Sequence, residues 1–294
     1  MEVIVATDVS VADPNHGLNV RVGSINTQRL VGDDAPDGLN FWLVRNTFDS
    51  DGGQVFETPR HHHTFAQIKM VEKGSSNFVP GKDIEEGDIA YFPKSAWYGP
   101  QSKDNCTSFS MQFGFNGEHQ RGKRWEDRRV EAMERLNARG HIEKGLYFEK
   151  DPATGETKTR DSVEALYDER ARMVLGTPLP IAAEAYDSVI LMHPKAFAYF
   201  PVSPGAELKI LGRFYDQPGP NGDVCISMVR LSDGGKYTLG DDRAQIGWTL
   251  DNGLAVDGKT YTELTSFYSP RGETTELSSK GGVEVYLVTF PRLD

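Results

Sequence analysis

Residues 58 to 74 read TPRHHHTFAQIKMVEKG. Three of the chain's seven histidines stand together there, and a glutamine follows at position 67. On a β-strand, residues i and i+2 share a face, with Cα atoms roughly 7 Å apart. His61 and His63 then converge on one point, Gln67 and Lys69 have the same parity, and His62 turns to the opposite face. Imidazoles arranged this way suit Zn, Cu, Fe or Ni, and an amide oxygen is a weak neutral ligand beside them. The plainer reading is a histidine cluster that serves no metal. Lys69, if it projects inward, needs a partner or an anionic substrate; a strand-end lysine reaching solvent is the alternative. Phe65 and Trp97 are candidates to line an apolar pocket, or else ordinary core. Gln101, which follows Tyr98-Gly99-Pro100, is a candidate to orient a ligand. The remaining histidines, 16, 119, 141 and 193, are scattered and receive no role.

Such a cluster needs strands to hold it, and the surrounding sequence supplies them. LNFWLVRNTF (39–48) reads as a buried strand ended by the turn DSDGG, and SFSMQFGF (108–115) alternates with period two. Residues 1–117 are therefore expected to be nearly all β, in a sandwich or barrel. The texture then changes. In 122–140, Trp125, Met133 and Leu136 fall at helical spacing with Gly140 as a stop. In 161–176, Val163, Leu166, Tyr167, Val174 and Leu175 share a face, Asp161 with Glu164 resembles a capping box, and Gly176 closes the helix. Residues 118–178 read as a helical connector of structural purpose, its apolar faces packing across both flanking domains. From 179 to 294 the β texture returns in glycine-punctuated strands such as VCISMVRL and VEVYLVTFP.

Composition narrows the function. The chain has 294 residues, 38% apolar and 26% charged, enough for a sizeable core. A formal charge of −11 without a basic run argues against a nucleic-acid partner. No apolar segment reaches the length of a membrane-spanning helix. The opening MEVIVATDVSVADP lacks the pattern of a secretory signal, and Cys106 and Cys225 form no CxxC pair. Free thiols and a cytoplasmic location are expected.

The spacing of the histidine stretch resembles the cupin superfamily. His61, one residue, His63, three residues, Gln67, six residues and Gly74 match its first motif, with Gln67 in place of the family's glutamate and Gly53 upstream. Gly87, five residues and Pro93 match its second, with Ser95 for a glycine and Tyr98 for the last histidine. The resemblance covers residues 40 to 115. In the second half, counting back from Gly253 puts Ile246, Asp242 and Gly240 at the ligand positions; Pro270, Arg271 and Gly272 keep the turn, and Thr275 stands for the last histidine. The Asp241-Asp242-Arg243 segment there reads as a solvated loop, or as a polar ligand contact.

The resemblance implies a mainly β bicupin: two jelly-roll-like barrels of the double-stranded β-helix type, 1–117 and 179–294, joined by the connector. One divalent metal (Fe, Ni, Mn or Zn) is expected in the N-terminal barrel on His61, His63 and Gln67, and none in the C-terminal one. Tyr98, as fourth ligand or as acid/base group, and Lys69 are the catalytic candidates. The implied function is a metal-dependent enzyme on a small organic molecule, first a dioxygenase-type oxidoreductase. A lyase, isomerase or decarboxylase is the alternative, as is a non-catalytic small-molecule binder with a vestigial site. A monomer or homodimer fits either.

Overall fold

The structure is a computed structural model and describes every residue except 14–17, 19, 35–37, 116, 121, 184, 263 and 294. His16 thus lies outside the described residues. The architecture is mainly β, as expected, and the chain divides into two compact units. One comprises Val11–Thr27 and Asp33–Leu191 and is called the first unit; the second comprises Met1–Ser10, Gln28–Gly32 and Met192–Asp294.

This division differs from the one the sequence suggests. The stretch 118–178 belongs to the first unit instead of standing as a separate connector, and residues 1–10 belong to the second. The reason for the latter is a pairing that no linear reading reveals. Strand Glu2–Val5 runs antiparallel to Thr265–Ser269, with Glu2 opposite Tyr268 and Val5 opposite Thr265.

In the first unit, strands Ile89–Phe92, Ala66–Lys73, Cys106–Phe115 and Leu39–Phe48 lie side by side in one sheet. Cys106–Phe115 is the central member, antiparallel to both neighbours over nearly its whole length. Its alternation puts Phe109, Met111 and Phe113 on one face and Ser108, Ser110 and Gln112 on the other. The same unit also holds two two-stranded sheets, Phe56–Thr58 with Gln101–Lys103 and Ser75–Val79 with Lys82–Glu85, and a three-stranded sheet of Gly140–Glu143, Leu146–Lys150 and Thr157–Asp161. Phe48, Phe56, Phe78, Phe92 and Tyr98 belong to one buried cluster.

The helices form where their spacing predicts. Ser162–Leu175 starts at Asp161, whose Oδ1 accepts from the backbone N–H of Val163 (2.8 Å) and Glu164 (3.0 Å). It ends at Gly176 in a left-handed conformation, φ 76°. The capping box is incomplete. Glu164 does not reach back to Asp161; its Oε1 accepts from His62 N at 2.7 Å. The earlier block forms two helices, Lys123–Glu126 and Arg129–Arg139. Gly140 does stop the second, but its backbone is extended, and a Cβ there would collide with the Phe148 carbonyl. Ala132, Met133 and Leu136 pack with Ala165, Leu166, Tyr147 and Val20, all within the first unit.

The second unit holds a seven-stranded sheet and a four-stranded sheet. Val229, Leu239, Leu254, Phe267, Leu277 and Val285 belong to its apolar core. At the expected ligand positions, Ile246 is fully buried and Thr275 Oγ1 pairs with Ser269 Oγ at 2.8 Å. Asp241 and Asp242 are exposed, while Arg243 is buried against Asp223 and the Phe290 carbonyl. Both cysteines are free and buried. No helix among the described residues is long and apolar enough to cross a membrane.

Candidate functional site

The first unit contains a cavity of about 180 Å³. Three rows of facing side chains, set by the strand register, build its sheet wall. Gln67, Gln112 and Trp42 form one row, Lys69, Ser110 and Val44 the next, and beyond them lie Ser108 and Asn46. The helices contribute Arg129, Val163, Leu166, Tyr167 and Arg170 to the same cavity. The block read as a structural connector is therefore part of the site.

His61 and His63 do not lie on a regular strand, because Ala66–Lys73 begins only after them. Two short backbone pairings hold them instead. His61 exchanges both backbone bonds with Tyr98 (2.9 and 3.0 Å), and the His63 carbonyl accepts from Ser95 N at 2.6 Å. Ser95 adopts φ 66°, the left-handed conformation that a glycine takes without strain. The expected alternation still holds. His61 and His63 reach the cavity, while His62 packs edge-on against Trp97 at 4.2 Å.

The Pro59 carbonyl lies 2.7 Å from His61 Nδ1. A carbonyl only accepts, so Nδ1 carries the proton and Nε2 keeps its lone pair. The His61 and His63 ring centroids are 5.0 Å apart, and His63 stacks on Phe65 at 4.5 Å. His63 Nδ1 is buried with no hydrogen-bond partner, the kind of atom that invites a ligand. Burial holds both imidazoles well below their usual range, with Arg21 adding to the effect at His61 and His61 itself adding at His63. Both rings are neutral at ordinary pH, the state in which imidazole ligates.

The Gln67 row is a directed chain of hydrogen bonds. Trp42 Nε1 donates to Gln112 Oε1 (2.9 Å), Gln112 Nε2 donates to Gln67 Oε1 (3.1 Å), and Gln67 Nε2 donates to Tyr98 Oη (2.6 Å). Indole N–H is only a donor, so it fixes the orientation of both amides and makes the Tyr98 oxygen an acceptor. The phenol proton is left to point elsewhere. Burial pushes the Tyr98 phenol far up, so it is not a phenolate. His119 is fully buried beside this row, Nε2 3.4 Å from Gln112 Oε1 and Nδ1 2.9 Å from Asn40 Oδ1.

The next row is cationic. Lys69 and Lys103 are both buried and both line the cavity. Lys69 Nζ sits 4.5 Å from the centroid of the Phe92 ring, and Lys103 Nζ 4.7 Å from that of Phe48. Burial pushes both ammonium groups down, Lys103 to about 8. Arg21 also lines the cavity, but its guanidinium is held by Asp161 in two bonds of 2.6 and 2.9 Å. Among the described residues, no aspartate or glutamate lines the cavity.

Several expected roles need correction. Trp97 is 41% exposed and stacks under Arg60 away from the cavity, because its neighbour Tyr98 points inward and adjacent strand positions alternate. Phe65 is buried behind His63 and does not line the cavity. Gln101 does, but its amide is engaged by Thr58 Oγ1 (3.4 Å) and the Asn77 carbonyl (2.8 Å). Trp42, Gln112, Lys103, Ser110 and Arg21 were not anticipated. Gln112 and Ser110 carry a legible signal, being polar residues alternating with Phe and Met.

The donor set bears on a metal as follows. Two neutral imidazoles fit a divalent ion, and Gln67 Oε1 keeps one lone pair beside its bond to Gln112. Tyr98, a neutral phenol bonded to Gln67, fits a hydrogen-bond donor better than a fourth ligand. Among the described residues there is no cluster of three His, Cys, Asp or Glu. The residues present thus fit an ion held by His61 and His63, with most of its coordination left to water or substrate.

No family model and no curated protein matches the chain. Solved structures do. A candidate dioxygenase from Nostoc punctiforme superposes with a TM-score of 0.60 at 10% identity, covering 99% of this chain and 83% of that one. Bacillus subtilis oxalate decarboxylase, studied for its Mn(II) centres, superposes with a TM-score of 0.55 at 11% identity, covering 100% and 78%. At such identities the likeness is one of fold.

Proposed function

We propose that this chain, which has the two-barrel cupin fold, is an enzyme that works on a small organic molecule inside its first unit, using one divalent metal ion held by His61 and His63. The observation that carries this reading is the pair of buried, neutral imidazoles, with the Pro59 carbonyl fixing the His61 tautomer so that Nε2 is free. Pinning one ring nitrogen to orient the other is what a ligating histidine needs. When bound, the ion would supply Lewis acidity to an oxygen of the substrate.

The protein's own groups have distinct tasks in this reading. Tyr98 donates its phenol proton to a developing negative charge, and the Trp42–Gln112–Gln67 chain keeps its oxygen in place. The small cavity limits the size of the substrate. The finer assignment is a dioxygenase-type oxidoreductase. A lyase or decarboxylase is the second reading, favoured by Tyr98 as a proton source, which cleavage without oxygen requires.

The test is the metal content of untagged protein beside the His61→Ala/His63→Ala double variant. The expected result is near-stoichiometric metal in the wild type and little in the variant, followed by oxygen uptake with the iron-loaded protein on phenols and diketones. Wild-type protein that takes up no metal even on reconstitution overturns the reading.

A further inference from the structure

We infer that the end of the cavity away from His63 is a carboxylate-binding site made by Lys69, Lys103 and Ser110. The inference deepens the reading of this cavity as a substrate pocket and rests on it: the substrate would be a small organic acid.

Three observations support it independently. The first is the pair of lysines. Both are buried and both line the cavity. A buried ammonium group is strongly disfavoured without a counter-charge, and two together more so. Phe92, Tyr98 and Phe48 offer ring faces to the two nitrogens, which eases their burial but accepts no conventional hydrogen bond. The second is the absence of a protein anion. No aspartate or glutamate among the described residues lines the cavity, and neither lysine takes part in an ion pair there. Cys106 lies near both, but burial pushes its thiol up, so it supplies no charge. The third is Ser110. It stands directly opposite Lys69 in the strand register, is 3% exposed, lines the cavity, and its Oγ has no hydrogen-bond partner.

Each of these groups can donate a hydrogen bond, and no carboxylate among the described residues lines the cavity beside them. An ionised carboxylate is acceptor-only, with two oxygens and about four lone-pair sites. It would satisfy both ammonium groups and the hydroxyl at once. Lys69 lies one row beyond Gln67, roughly 7 Å along the strand. A carboxylate held there leaves the rest of a short carbon chain pointing back towards Tyr98 and the imidazoles. The arrangement anchors one end of the substrate and exposes the other.

The experiment is a calorimetric titration of chelator-treated, metal-free protein with malonate, with its neutral diamide and with inorganic phosphate. It is run on the wild type, Lys103→Met, Ser110→Ala and His61→Ala/His63→Ala. Malonate is expected to bind the wild type and the histidine variant alike, and the diamide not at all. Lys103→Met should weaken malonate by about tenfold or more, the loss of one charge-assisted bond. Ser110→Ala, nearly isosteric and safe for folding, should weaken it less but measurably. No malonate binding to the wild type, equal binding to Lys103→Met, or tighter binding of phosphate than of malonate overturns the inference. Because no metal is present, these results stand or fall separately from the metal content.

Discussion

Trp42 and Gln112 face each other across neighbouring strands, and the indole N–H donates to the Gln112 carbonyl oxygen at 2.9 Å. That bond sets the sense of the amide chain that ends at Tyr98. Trp42→Phe removes the donor while keeping a ring. Gln112 Oε1 then loses its 2.9 Å donor and keeps the longer 3.4 Å approach of His119, so the sense of the amide chain is less firmly set. The expected cost is about 1–2 kcal/mol in denaturant unfolding. A fall in turnover larger than this stability loss explains would mark Trp42 as a positioning residue for Tyr98.

Gln67→Glu restores a carboxylate beside the imidazoles. Gln112 can still donate to it, and Tyr98 can turn its own proton towards it. Divalent metal should bind about tenfold more tightly, through one added charge near a dication. Malonate should bind less well, because the new carboxylate competes for Lys69. Titration of each ligand separately checks the two opposite shifts; movement of both in the same direction contradicts the layout described.

Lys103→Met should stabilise the unliganded protein by about 1–2 kcal/mol near neutral pH, since it removes a buried charge and keeps the stem. The pH dependence has a definite sign. Lys103 is pushed down from 10.5 to about 8 in the folded state. Between those values the unfolded chain binds the proton and the folded one does not, so its contribution to stability grows as pH rises from about 8 to 10.5 and is lost as pH falls through about 8. Melting curves across that window should rise more steeply for the wild type than for the variant.

Asp161→Ala should be the most damaging of these changes. It removes the cap of helix Ser162–Leu175 and leaves the Arg21 guanidinium buried without its partner. A loss of about 3–5 kcal/mol is expected, most of it from the stranded charge. Chemical unfolding measures it, and Asp161→Asn should recover the cap bonds but not the ion pair.

The sequence makes the period legible but not what each face meets. The alternation in Cys106–Phe115 correctly separates Ser108, Ser110 and Gln112 from Phe109, Met111 and Phe113. It reads as half-buried, one face to water, yet both faces are enclosed, and Ser108 and Ser110 are as buried as the core around them. Tyr98 and Trp97 show the rule misapplied, since neighbours on a strand cannot both point inward, and parity alone would have placed Trp97 outside. Lys103 was beyond reach for another reason. It sits on Gln101–Lys103, whose partner is Phe56–Thr58, and nothing local announces that pairing. His61, His63 and Gln67 line one cavity, and their spacing is legible because it depends on a few nearly consecutive residues. The roles of Gln112, Trp42 and Arg21 are not, because each arises from contact between segments far apart in the chain.

The pairing of Glu2–Val5 with Thr265–Ser269 has a consequence for synthesis. Ile4 and Ser266, joined by a hydrogen bond there, are separated by 262 residues. A ribosome makes residues 2–5 long before it makes residues 265–269. Everything in Val11–Thr27 and Asp33–Leu191 has emerged before the partner strand exists, so the site-bearing unit can close while residues 2–5 wait as an open edge. Closing so long a loop adds little to the equilibrium cost, which grows only with the logarithm of length. The delay is one of time: residues 2–5 are translated long before the strand they pair with.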